Sequence, residues 1–203
     1  MTPVIVFDRA KGGKMNKGFR VALYASLVLL LMFGISNAQN LVTNPGFETV
    51  NLGGWLTIHA GSGSFIGASN LPGDVHSGSY AAAFAAFGGI DDSIQQTLPT
   101  VPGESYSISF WLLNKGGAPN DFSMSWGGTT LFSLTDAAAF SYTEETVTGT
   151  ATGSSTVLMF SGADYPAALC LDDVSVTPAP EPGTMLLFGL GLVGLVGMRK
   201  FRK

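Results

Sequence analysis

Cysteine is almost absent from this chain: Cys170 stands alone among 203 residues, so no intramolecular disulfide can form. Histidine is nearly as scarce, with only His59 and His76. Neither lies in surroundings that argue a Ser-His-Asp arrangement, and no Gly-x-Ser-x-Gly elbow, metalloprotease helix or phosphate loop occurs. Gly116-Gly117 and Gly127-Gly128 read as loop or hairpin glycines, since no helical pattern follows either pair. Cations are missing from the middle of the chain. Of the ten Lys and Arg, five precede Ala38, four close the chain, and Lys115 alone lies between. Against Lys115 stand twelve of the fourteen acids, a formal charge of −11 over residues 39–179. Such a body is repelled by a phosphate backbone, which argues against nucleic-acid binding, while it can recruit divalent cations. Helical periodicity is also lacking between residues 39 and 179, so the body is not a helical domain.

Long apolar runs occur only towards the two ends. From Met15 the chain reads Met-Asn-Lys-Gly-Phe-Arg, then an apolar stretch from Val21 to Ile35, then Ser36-Asn37-Ala38. A basic start, an apolar middle and small residues at −3 and −1 predict a signal peptide over 15–38, cut between Ala38 and Gln39. Residues 1–14 fit neither a signal nor a packed element and read as a gene-model extension, with Met15 as the start. At the other end Pro180-Glu181-Pro182 precedes an uncharged segment, 183–198, and then Arg199-Lys200-Phe201-Arg202-Lys203. As a helix those 16 residues span about 24 Å, a little short of a bilayer core, and snorkelling cations make up part of the shortfall. Arg199, Lys200, Arg202 and Lys203 cannot cross a membrane cheaply, so they act as a stop-transfer signal and hold the extreme end in the cytoplasm.

In that order, Pro180-Glu181-Pro182-Gly183-Thr184, the apolar segment and the basic cluster resemble the PEP-CTERM sorting domain of Gram-negative bacteria. The resemblance covers 178–203. It implies a partner, an exosortase-type membrane transpeptidase, that cuts near the motif and passes the protein to the cell surface or extracellular polysaccharide. The plain alternative is an ordinary C-terminal membrane anchor.

Between the two tails the residues predict one all-β domain over 39–177. Short alternating runs are separated by Gly, Pro, Asn and Ser. In Glu104–Asn114, Tyr106, Ile108, Phe110 and Leu112 point one way, and Ser105, Ser107, Ser109 and Trp111 the other. Phe122, Met124 and Trp126 repeat the pattern. Further strands are expected at 55–60, 80–87, 93–98, 129–134, 142–150, 156–161 and 168–177. This number of strands suits a jelly roll of two packed antiparallel sheets. Cys170, between Leu169 and Leu171, is expected to be an inert buried thiol.

Asn44-Pro45-Gly46-Phe47-Glu48, then Gly54-Trp55, His76-Ser77-Gly78-Ser79-Tyr80 and Leu171-Asp172-Asp173-Val174 follow one another in the order of a known fold. They resemble galactose-binding-like jelly rolls, particularly carbohydrate-binding modules of the family 4, 9 and 22 type. The resemblance implies neighbouring first and last strands and a structural Ca²⁺ held by Glu48 with Asp172 or Asp173 and by carbonyls of the loop 74–78. The plain alternative makes Asp172-Asp173 a solvated strand entry and Glu48 the end of a turn. Carbohydrate binding is the sharper function, with Trp111, Tyr142 and Asn114 as candidate residues and Tyr165, Gln95 and Asn120 in support. Alternatively, Trp111 faces the second sheet or a covering loop. The body is expected to be noncatalytic; a purely structural matrix protein and a glycoside hydrolase using Asp91-Asp92 or Glu144-Glu145 are the rivals.

Overall fold

Alternation in the central strand sets the frame. Tyr106, Ile108, Phe110 and Leu112 are buried, while Ser105, Ser107, Ser109 and Trp111 keep partial access to solvent. A strand of this kind is sealed on one side, so it needs a second layer over its apolar face. The computed structural model, which describes residues 39–59, 61, 63–87 and 91–179, supplies that layer. Among the described residues there are ten strands and no helix. They are β1 (Leu56–Ile58), β2 (Ile66–Ser69), β3 (Ala81–Phe84), β4 (Asp92–Pro99) and β5 (Ser105–Asn114), followed by β6 (Asp121–Trp126), β7 (Thr129–Thr135), β8 (Phe140–Thr150), β9 (Ser155–Ala163) and β10 (Leu169–Pro178).

One five-stranded sheet has the order β1-β4-β9-β6-β7 and the other β2-β3-β10-β5-β8. Every pairing is antiparallel. The two inner faces meet in an aromatic core. Phe110 and Phe160 lie edge to face with centroids 5.2 Å apart, and Phe84 meets Phe122 in the same way at 5.6 Å. Trp55 and Trp126 are also buried, and Gly149 leaves the space that the Trp126 indole fills. Residues 38–180 form one compact unit, and its described core cluster, including the hydrophobics packed against it, runs from Leu41 to Val176.

The chain's first described segment runs beside its last strand. Leu41 N donates to Val176 O at 2.9 Å and Val174 N to Pro45 O at 2.9 Å, while Asn40 uses its side chain to bond both Val174 O and Val176 N. The expected all-β jelly-roll sandwich is therefore present. The strand that the alternation did not predict is β2, Ile-Gly-Ala-Ser, too short to show a clear pattern in sequence; Ile66 and Ala68 pack against the core, and it pairs only with β3. The expected signal peptide (15–38), sorting signal (Pro180, Glu181, Pro182), apolar segment (183–198) and stop-transfer cations lie outside the described residues. So does Ala38, while Gln39 opens the described chain.

Candidate functional site

Register builds the first cluster of functional side chains. Asp172 on β10 pairs with Trp111 on β5, and Trp111 pairs with Glu144 on β8. Their neighbours Leu171 and Leu112 belong to the core, so Asp172, Trp111 and Tyr142 all stand on the outer face of that sheet. The loop between β2 and β3 folds down over this face like a strap. Its His76 ring stacks on Trp111 with centroids 3.8 Å apart and an interplanar angle of 16°, and sits 5.1 Å from Tyr142. Three polar anchors hold the strap. Buried Asp74 accepts from Lys115 Nζ at 2.5 Å and from Ser69 Oγ at 2.7 Å, and its carbonyl accepts from the Tyr142 hydroxyl. Asp172 Oδ2 accepts from the backbone N–H groups of His76 (2.9 Å) and Ser77 (3.1 Å). Exposed Glu48 caps the strap's far end, accepting from Ser79 N and Tyr80 N. Gly78, at φ 69°, has no room for a Cβ because the Glu48 carboxylate occupies it.

The electrostatics follow from this covering. The salt bridge to Asp74 holds the Lys115 ammonium above its ordinary pKa. Burial pushes Asp172 up, against the pull of the backbone N–H groups that bond it. Cys170, on the same outer face, is fully buried and its thiol is pushed up to about 12, chiefly by burial. It is therefore unreactive, as expected, but it lies away from the inter-sheet core.

The expected Ca²⁺ ligands Glu48, Asp172 and Asp173 all meet the strap. The strap turns N–H donors towards Glu48 and Asp172. Asp173 Oδ1 accepts from the Ser77 hydroxyl, and its Oδ2 lies 2.7 Å from His76 Nδ1. Among the described residues no group of three or more His, Cys, Asp and Glu side chains is placed to share an ion. In this arrangement the three carboxylates are met by strap donors, and a Ca²⁺ ion would have to take the place of those hydrogen bonds with its own oxygen ligands.

Trp111, Tyr142 and Asn114 likewise do not form an open sugar platform. His76 covers the Trp111 ring, and the Tyr142 hydroxyl is spent on Asp74. Asn114 is buried, its amide bonded to Ala137 O and Ala138 O and its carbonyl to Gly116 N. Asn120 is buried in the same way and bonds Ala137 through both ends of its amide.

Exposed rings gather elsewhere. Phe65 precedes β2, Phe87 follows β3, and Tyr165 lies between β9 and β10; they are 60%, 46% and 48% exposed. Phe87 and Tyr165 pack at 4.0 Å between centroids, and with Phe65, Gly63, Ala85 and Pro166 they line an open groove of about 370 Å³. Backbone bonds fix its walls, Ala85 N to Phe65 O at 2.9 Å and Phe87 N to Gly63 O at 3.3 Å. The sequence signal for this groove is partial: Tyr165 is among the supporting sugar candidates and Phe87 closes the expected strand 80–87, while Phe65 lies in a Gly/Ser-rich stretch with no pattern of its own.

The comparisons with known proteins agree with the two halves of this description. Residues 178–203 match the PEP-CTERM protein-sorting motif. No curated protein matches the chain in sequence. Solved structures share its fold at low identity. TmCBM61, solved in complex with β-1,4-galactotriose, aligns with TM-score 0.56 and 17% identity over 70% of this chain and 100% of that one. The K1 cleaved adhesin domain of Lys-gingipain from Porphyromonas gingivalis aligns with TM-score 0.53 and 19% identity, covering 66% and 96%. The CBM22-1 xylan-binding domain of Xyn10C from Paenibacillus barcinonensis gives 0.50 and 18%, covering 73% and 100%. These identities speak for the fold alone. The chain thus joins a jelly-roll sandwich, of the kind seen in carbohydrate-binding modules, to a PEP-CTERM motif that marks it for export and membrane-anchored sorting.

Proposed function

We propose that this is a cell-surface or extracellular-matrix protein of a Gram-negative bacterium, delivered by an exosortase-type transpeptidase, whose sandwich binds polysaccharide without cleaving it. The observation that carries the reading is the sorting motif at 178–203, which begins at the end of β10. A motif of this kind delivers its cargo to a place rich in polysaccharide. The cargo has the fold of a module solved with a galactotriose and of a xylan-binding domain, which supports glycan as the ligand class. Its body is acidic, with one cation, and suits a neutral glycan better than an anionic one. Residues 39–179 on a glycan array should bind at least one neutral polysaccharide saturably and release no reducing sugar from it. Absence of any saturable binding would leave a purely structural matrix role. Turnover abolished by one carboxylate substitution would make the protein a glycosidase.

A further inference from the structure

The groove between Phe65, Phe87 and Tyr165 has features that packing does not require. Three aromatic residues, each about half exposed, leave apolar surface in water at a cost the fold does not recover. Yet the chain makes room for them. Gly63 has φ 101°, and a Cβ there would stand 2.5 Å from Phe87 Cδ2, so the ring lies where only glycine permits it. Among the described residues no charged side chain lines the groove. The Tyr165 hydroxyl has no hydrogen-bond partner among the described residues, although Tyr165 keeps its ring contact with Phe87.

We propose that Phe65, Phe87 and Tyr165 form the glycan-binding site, taking the apolar face of an uncharged pyranose ring. This rests on the carbohydrate-binding reading and locates it. The weakly positive C–H groups on one face of a pyranose complement the negative face of an aromatic ring. A ring pair tilted by 34° beside a third ring makes a shallow cleft, and the Tyr165 hydroxyl is free to bond a sugar hydroxyl. Size points the same way. At about 200 Å² per aromatic residue, the exposed rings offer roughly 300 Å², against about 800 Å² per partner in a stable protein interface. The patch is the size of one or two sugar rings and too small for a second copy of the chain. The described lining offers no cation to pair with a uronate carboxylate, which favours an uncharged sugar.

The test uses residues 39–179 and a neutral polysaccharide that the unsubstituted protein retains on an affinity gel. Phe87→Ala with Tyr165→Ala should weaken retention at least about tenfold while leaving the melting temperature nearly unchanged. Tyr165→Phe, which keeps the ring, should weaken it less. If the double variant fails to fold, Phe65→Ala alone decides, because its ring is the most exposed of the three. Retention unchanged in a folded variant overturns this site and leaves the carbohydrate-binding reading standing. No glycan bound by the unsubstituted protein overturns both. Preference for a uronate polymer, or a dimer that the double variant converts to monomer without any loss of glycan binding, also overturns the site.

Discussion

Asp164 follows β9 and is only 1% exposed, with Oδ2 left without a hydrogen-bond partner among the described residues. Gly116 lies against it so closely that a Cβ there would meet the carboxylate at 2.5 Å. Burial pushes this carboxyl up to about 6, opposed by a hydrogen bond from the Gly116 backbone. The folded protein therefore holds the proton to about pH 6, while the unfolded chain releases it near pH 4. Between those values the folded state binds more protons, so stability falls as pH rises through the window and the full penalty stands above it. Asp164→Asn, which never ionises, should raise the melting temperature at pH 7.5 by a few degrees and lose that advantage near pH 4. Thermal melts of both proteins across pH 4–8 check this. Asp121, raised to about 6 mainly by burial and then by Asp91 and Asp136, titrates in the same range, so the slope will shrink without vanishing.

At the scale of elements, the strap between β2 and β3 is the distinctive part. It lies on the outer face of a sheet and is held by polar anchors around one aromatic stack, not by the sandwich core. Lys115 is the body's only Lys or Arg, and Asp74 is buried beside it. Lys115→Met would leave the Asp74 carboxylate to Ser69 alone, at a cost of about 1–3 kcal/mol after allowing for the half-exposed ammonium. The melting temperature should fall, and limited proteolysis should cut first within residues 70–80. Adding Asp74→Asn to the same chain should restore part of the loss, because the unpaired charge is gone. A melting temperature that stays put on Lys115→Met would show that the stacked His76 and Trp111 rings hold the strap without the ion pair.

The whole molecule is an acidic sandwich followed by a PEP-CTERM sorting motif, and its clustered acids are bonded by the strap. Glu48, Asp172 and Asp173 are met by strap donors, so the melting temperature should be the same in EDTA and in millimolar calcium; a rise with calcium would restore the ligand set implied by the family resemblance. Much of the architecture was readable in advance because its causes are local. Period-two alternation in β5 and β6 and the turns between runs are properties of neighbouring residues, and the C-terminal sorting motif is read from the order of charge and apolarity along the chain. Even the approach of Glu48 to the Asp172-Asp173 pair was anticipated, through resemblance. The sequence by itself thus determined an exported, acidic, all-β protein with nine of its ten Lys and Arg outside the body. Only the tertiary structure decided which aromatic rings are available. Alternation places Trp111 on the outer face, but whether a strand's outer face meets water depends on a loop some thirty residues away in the chain, and here His76 covers it. Tyr165 is a supporting sugar candidate in the sequence, but nothing in their own segments joins it to Phe65 and Phe87; the three become one surface because β2 starts where β3 ends, beside the turn after β9. Solvent access is a property of the assembled layers, and no stretch of chain encodes it alone.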